Sequence, residues 1–284
     1  MLIIDPGNST IKATNGIRET ITPSIIGPSQ DVFAHKSIPT ISGYFVGEDA
    51  LHYADHIEYS LRELKSEQRT LEILIKYTLS LYPAEKEIVL ILPFSNFFSE
   101  KERLIKAFRK DFTVHTLPQG FCALMDWLLD ESGNEVEACK EYFSRPILVS
   151  DVGFGTINHI YFNRGRVNQN LSFSSLNGMH LIYSKIAAAT GKNIYEVDLT
   201  LGADAVKPLY GSLASVLQTD IDSHYRLRDI GLHFICGGGG SALFPYIPWE
   251  SKILHPSQFA NVRGGLKVAR KLWGSTGHSV AISN

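Results

Sequence analysis

Three cysteines in 284 residues are too few, and too scattered, to form a disulfide framework. Cys122, Cys139 and Cys236 also lack the paired spacing of a zinc or iron–sulfur site. Cys122 and Cys236 stand in apolar runs, where a thiol is ordinarily a small buried hydrophobe. Such usage fits a reducing cytosol. Basic charge is not in excess: 27 Lys and Arg against 29 Asp and Glu leave a net charge of −2. No overall field therefore holds nucleic acid or an anionic membrane. No apolar run approaches the ~20 residues that span a bilayer. The start has neither the basic region nor the cleavage site of a signal peptide. The expectation is a cytoplasmic protein with no membrane partner and no direct contact to nucleic acid. His115, His159 and His233 have no His or Glu at metal-ligand spacing and read as structural. What remains is ordinary for a globular chain, 44% hydrophobic and 20% charged, and long enough for one large or two medium domains.

Along the chain, apolar runs and turn residues alternate. Leu2–Ile4 and Ile11–Thr14 read as a hairpin turning through Pro6-Gly7-Asn8. Pro23, Gly27, Pro28, Pro39 and Gly43 break the stretch 21–47 into short strands and loops, with Tyr44–Val46 a strand and Glu48–Tyr53 a short helix. Leu71, Leu74, Ile75 and Leu79 recur at helical spacing within 67–81. Ile88–Leu92, Val114–Leu117, Ile147–Ser150, Ile157–Phe162, Val167–Phe173 and Leu232–Cys236 read as strands. A capping box, Ser99 with Glu102, predicts a helix from Ser99 to about Lys110. Further helices are predicted from Pro118 to Leu129, Gly178 to Ala189, Asn193 to Leu199, Gly211 to Arg226 and Phe259 to Trp273. Alternating strands and helices give an α/β architecture. The opening hairpin, with its Asp and Gly, returns at 147–173, which points to two related halves.

Three strand ends carry glycine: Asp5-Pro-Gly7, Asp151-Val-Gly-Phe-Gly-Thr156 and Gly237–Gly240. Alone, the first also suits an ordinary hairpin. Together they place backbone N–H groups where phosphate can approach closely. Asp5 and Asp151, on opposite walls, could hold Mg²⁺ through its waters, because this ion dehydrates reluctantly. Lys12 could neutralise phosphate charge.

These stretches resemble the actin-like ATPase superfamily. Asp5-Pro-Gly-Asn-Ser-Thr-Ile-Lys12 is similar to its first phosphate motif, Asp151–Thr156 to its second, Ile235–Ser241 to its adenosine motif, and Pro118–Ala123 to its first connecting motif. Phe45–Ala50 and Phe259–Gly264 resemble bacterial plasmid-segregation actins (ParM and its relatives) and similar archaeal actins. The resemblance implies two ribonuclease-H-like domains around a nucleotide cleft. Domain I would be residues 1–140, completed by a C-terminal helix over 258–274; domain II would be 141–257, and 275–284 a flexible tail. It implies that Asp5 and Asp151 hold hydrated Mg²⁺, and that Gly7, Asn8, Ser9, Thr10 and Lys12 cradle phosphates. Gly153, Phe154, Gly155 and Thr156 would wrap the other side, and Gln119 would position the attacking water. Gly237, Gly238, Gly239 and Gly240 would approach the adenosine, with Lys185 flanking the base. The implied activity is Mg²⁺-dependent hydrolysis of ATP to ADP, with GTP as the alternative nucleotide. Head-to-tail filaments would then segregate a plasmid through a DNA-binding adaptor protein.

One departure stands out. The segment from Gly191 to Pro208 is short where most actins insert a subdomain, so that lobe (subdomain IIB) reads as reduced. Two rival readings stay open: a small-molecule kinase of the type III pantothenate kinase kind, whose start has a similar Asp-x-Gly-Asn pattern, and a non-polymerising scaffold.

Overall fold

The computed structural model describes residues 1–29, 38–60, 69–197 and 202–274. The predicted tail 275–284, the first two residues of the predicted helix 67–81 and the end of the predicted helix at Leu199 lie outside the described residues. Strands β1 (Leu2–Pro6), β2 (Thr10–Thr14) and β3 (Glu19–Pro23) form an antiparallel meander. Next come β4 (Ile25–Pro28), β5 (Tyr44–Val46) and β6 (Glu58–Tyr59), a small separate sheet in the order β5-β4-β6. β7 (Glu87–Leu92) and β8 (Thr113–Pro118) then extend the first sheet in parallel, in the order β3-β2-β1-β7-β8.

The second sheet repeats this plan. β9 (Ile147–Val152) and β10 (Ile157–Asn163) are antiparallel, and β11 (Arg166–Val167) and β12 (Phe173–Ser175) both pair with β10. β13 (Leu232–Cys236) lies parallel to β9, and β14 (Lys252–Ile253) parallel to β13. The order β11-β10-β9-β13-β14 matches the first sheet strand for strand.

Both sheets are covered on both faces, which is why their central strands are uninterrupted apolar runs. In β1, Leu2 and Ile4 face a core that includes Leu71, Leu74 and Ile75 of the helix Arg69–Ser80. Ile3 faces the opposite way, against Val262 and Leu266 of the C-terminal helix Ala260–Trp273. In β9, Ile147 and Val149 pack with Ala123, Leu124 and Leu128, while Leu148 and Val152 pack with Ile182, Leu213 and Leu217. The helix Phe121–Leu128 thus stands between the two sheets: Cys122 belongs to one core, Leu124 to the other.

The C-terminal helix returns to the first sheet and lies against Phe121–Leu128 with backbones nearly touching. A Cβ on Gly264 would overlap the Cys122 carbonyl oxygen and come within 2.7 Å of the Asp126 amide nitrogen. Polar contacts fix the approach. Lys267 Nζ is 2.7 Å from Asp126 Oδ1, and Arg263 makes a two-point ion pair with Glu19 at 2.6 and 2.7 Å.

Several predicted boundaries shift, each for a visible reason. The helix expected from Ser99 begins at Phe94, whose ring is buried, and Pro93 precedes it; Ser99 sits inside the helix and donates to the Asn96 carbonyl. The helix expected from Pro118 begins at Phe121, because Pro118 still pairs with Leu92 as β8. The strand expected over 167–173 is interrupted: Asn168 Oδ1 accepts from the amides of Asn170 and Leu171 and bends the chain. The buried histidines are linked through a serine. Trp249 Nε1 donates to His233 Nδ1 at 2.8 Å, and Ser150 Oγ lies 2.8 Å from His233 Nε2 and 2.9 Å from His159 Nδ1. Indole can only donate, so His233 carries its proton on Nε2. Burial depresses His159 to about 4 and His233 to about 3, which keeps both neutral at pH 7.

Gly264→Ala should therefore cost at least ~3 kcal/mol, the upper end for overpacking, since backbone cannot yield as a side chain can. Gly211→Ala is the control: it is exposed on the helix Tyr210–His224, a Cβ there meets nothing within 4 Å, and the change should stabilise by up to ~1 kcal/mol. Chemical denaturation of both variants checks the pair; equal midpoints would refute the close approach.

Candidate functional site

The first hairpin aligns Asp5 and Lys12. They are direct partners across β1 and β2, so their side chains leave the same face. Both are buried, with Lys12 Nζ 4.0 Å from Asp5 Oδ2. The turn between them is tied down by Ser24, whose hydroxyl donates to the Gly7 carbonyl and whose amide donates to Ser9, each at 2.7 Å. A Cβ on Gly7 would stand 2.5 Å from the Thr10 carbonyl oxygen and 3.2 Å from Lys12 Nζ, so the loop is as tight as its backbone allows. Within it Asn8 Oδ1 is buried and has no hydrogen-bond partner among the described residues.

The second hairpin reproduces the register with one change. Asp151 is paired across β9 and β10 with Asn158, as Asp5 is with Lys12. The following turn, Gly153–Thr156, closes through Gly153 N to Thr156 O at 2.9 Å. It rests on the start of the helix His180–Thr190: Met179 N and His180 N donate to the Gly153 and Phe154 carbonyls. The glycine run after β13 then folds over Asp151. Gly237 has φ +87°, and a Cβ there would overlap Asp151 Oδ1. Gly239 N donates to Val152 O at 2.9 Å. Gly240 is buried at the start of a short helix, and Gly238 is exposed with open space around it.

Amides join the two hairpins. Gln119, buried just after β8, donates from Nε2 to Asp5 Oδ1 at 2.6 Å. Asn158 Nδ2 donates to Gln119 Oε1 at 3.2 Å, and Ser174 Oγ donates to Asn158 Oδ1 at 2.6 Å. A second bridge starts on the C-terminal helix: Asn261 Nδ2 donates to Asp151 Oδ2 at 2.8 Å, while Asn261 Oδ1 accepts from Gly120 N at 2.9 Å. Every amide here has its orientation set by both neighbours.

The structure thus gathers Asp5, Gly7, Asn8, Ser9, Thr10, Lys12, Gln119, Asp151, Gly153–Thr156 and Gly237–Gly240 at the strand ends of the two sheets. Lys185 stands apart from these turns and strand ends: it is exposed on the helix His180–Thr190. Sequence reading missed Asn158, Asn261, Ser24 and Ser174. Asn158 had a signal, because it follows Asp151 by the same interval that separates Lys12 from Asp5.

Electrostatics set what the site can do. Desolvation, and then the nearby Asp5, push the Asp151 carboxyl up from 3.8 to about 6, against the opposing pull of Asn261, Lys12 and Cys236. Burial raises the Cys122 and Cys236 thiols well above their usual value, so neither is a thiolate nucleophile at neutral pH. Two buried carboxylates with one lysine between tight turns form a site suited to a cation and a polyanion. Among the described residues no group of three or more His, Cys, Asp or Glu could ligate a metal directly. The donor set fits an ion held through water, as Mg²⁺ prefers, and the unpartnered Asn8 Oδ1 fits the same use.

Residues 4–121 match the family model for the N-terminal domain of actin-like proteins. No curated protein matches the chain. Among solved structures, a 15-stranded ParM filament from Clostridium botulinum is similar at 21% identity, covering 95% of this chain and 98% of that one, with a TM-score of 0.75. An archaeal actin homologue in complex with ADP is similar at 19% identity, covering 95% and 100%, with a TM-score of 0.70. The apo pSK41 ParM protein is similar at 17% identity, covering 98% of each chain, with a TM-score of 0.70. At these identities the likeness is one of fold, and the fold is actin-like, with two sheets of matching strand order.

The raised Asp151 fixes a sign. Its folded pKa lies above the unfolded value, so the stability it contributes is complete below pH ~4 and is lost as pH rises through about 6. Asp151→Asn should therefore gain on the parent protein between pH 4 and 7, by about 2–3 kcal/mol in nucleotide-free buffer. Urea midpoints across that range measure it, and a pH-independent difference would refute the desolvated carboxylate.

Proposed function

We propose that this chain binds ATP with Mg²⁺ between its two sheets, hydrolyses it, and assembles head to tail into filaments. The observation that carries the reading is the pair of buried carboxylates, Asp5 and Asp151, presented by two copies of one hairpin: Asp5 is bonded to Lys12 and Gln119, Gln119 to Asn158 opposite Asp151, and Asp151 to Asn261, with three glycine-bearing turns around them. Support for assembly comes from the fold it shares with a protein solved as a ParM filament. A head-to-tail contact joins unlike surfaces, so it propagates as an open polymer.

Each residue has a task in this reading. The backbone of Gly7–Thr10 and of Gly153–Thr156 would donate N–H groups to phosphates from opposite sides. Lys12 would neutralise phosphate charge. Asp5 and Asp151 would hold the waters of Mg²⁺, which when bound supplies charge neutralisation for the transferring phosphoryl group. Gln119 would accept a hydrogen bond from the attacking water and so orient it. Its Nε2 bond to Asp5 and Oε1 bond to Asn158 already fix the side chain beside the carboxylate. Phosphoryl transfer needs positioning and electrostatics, with no covalent nucleophile. Gly237–Gly240 would lie against the adenosine. We further propose domain I as residues 1–140 with 258–274, domain II as 141–257, and plasmid segregation through a DNA-bound adaptor as the cellular task.

Sedimentation with ATP, with ADP and without nucleotide tests the reading. Pelletable polymer above a critical concentration, with phosphate release, is the expected result. Persistent monomer that phosphorylates pantothenate would replace it with a kinase, and monomer that binds nucleotide without turnover with a scaffold. Gln119→Ala should keep nucleotide affinity while hydrolysis falls ~10²-fold, the typical loss of one preorganised group; undiminished hydrolysis would remove Gln119 from the mechanism.

A further inference from the structure

We infer that Asn261, on the C-terminal helix, is a positioning residue that sets Gln119 and Asp151 relative to each other. The inference rests on the functional reading above. Asn261 is buried, and its two amide atoms are both used: Oδ1 takes the Gly120 N–H at 2.9 Å, and Nδ2 reaches Asp151 Oδ2 at 2.8 Å. Gly120 is the peptide that directly follows Gln119, and Asp151 belongs to the other sheet. One short side chain therefore spans the groups assigned to water orientation and to the cation, across the junction of the two sheets.

The placement has a local cause. Asn261 stands one turn before Gly264, where the helix meets the Cys122 carbonyl without an intervening side chain. That contact brings Asn261 close enough to the first turn of Phe121–Leu128 to bond its free N–H. The helix start leaves amide N–H groups without intrahelical partners, and Asn261 uses the one nearest Gln119. The Gln119 side chain is also bonded to Asp5 and Asn158, but those contacts hold its amide group. Asn261 holds its backbone, and so fixes the point from which the side chain reaches. Removing a donor and an acceptor that bridge the two sheets loosens the placement of one group relative to the other, and small displacements of reacting groups are costly in rate.

A double-mutant cycle with Gln119 tests this. Asn261→Ala should leave affinity for Mg²⁺ and a non-hydrolysable ATP analogue within about threefold of the parent, while single-turnover hydrolysis falls ~10–100-fold. In the Gln119→Ala background the same change should lower hydrolysis by less than about twofold, because what Asn261 sets is the placement of Gln119 relative to Asp151, and one member of that pair is already gone. Amide hydrogen exchange at Gly120, read without nucleotide, should become faster. Asn261→Ser serves the same cycle if the alanine variant does not fold. Losses that multiply in the two backgrounds, or affinity that falls in step with hydrolysis, would overturn the inference and leave the functional reading standing. A parent protein that neither binds nor hydrolyses nucleotide would overturn both.

Discussion

The constraint around which this molecule is built is electrostatic. Two carboxylates, Asp5 and Asp151, are nearly removed from water and close enough to raise the proton affinity of one of them. Burying like charges together is costly unless other groups answer them. One lysine does so in part, at 4.0 Å from Asp5. Neutral amides supply the rest: Gln119 and Asn261 each give one N–H to a carboxylate oxygen and have their carbonyl oxygens bonded elsewhere. The glycine run over Asp151 leaves no room for a side chain that could shield it. Such a site is under-compensated for negative charge by its own residues, and that surplus is what a hydrated divalent cation would satisfy.

The two halves solve the same problem with the same hairpin and then differ at one position. Register places a partner directly opposite each aspartate. On the first hairpin the partner is Lys12, a cation; on the second it is Asn158, a neutral amide that reaches Gln119 instead. A lysine at both positions would neutralise the pair and compete with any bound cation. With an amide on one side, the lysine's charge is directed to one wall, and the other wall becomes a relay that orients Gln119. The repeated fold thus yields an asymmetric site, with one side shaped for charge and the other for orientation.

Much of this was legible in the sequence, and the boundary follows the range of the forces involved. Strands buried on both faces declare themselves as apolar runs, and Leu232–Cys236 begins and ends where the sequence places it. Aspartate and glycine at strand ends reflect local turn chemistry, so the three motifs could be read. Helix starts were less secure: Ser99 and Glu102 have the spacing of a cap, but burial of Phe94 begins the helix five residues earlier. The bonds of Asn261 and Ser24 were not readable at all. Asn261 meets Asp151 across 110 residues of chain, and Ser24 meets Gly7 across 17, through contacts that no periodicity encodes. The repeated interval from each aspartate to its cross-strand partner was the exception, a local signal for a distant contact.

The segment between Gly191 and Tyr210 bears on how far a bound ligand could move this molecule. Between Gly191, which ends one helix in a left-handed conformation, and Tyr210, which begins the next, the described residues form only two short α-helices, Ile194–Glu196 and Gly202–Val206, and a single 3-10 turn. Glu196 nevertheless lies close enough to Tyr59, in the small sheet of the other half, to add to the burial that raises the tyrosine's pKa. A ligand can shift a conformational equilibrium only by its differential affinity for the two states. Among the described residues, the groups that join the two sheets and could carry such a difference are the strand-end turns and the amide bridges beneath them. In this chain the side chains of those bridges, Gln119, Asn158 and Asn261, are therefore the ones through which a change at one turn would reach the other sheet.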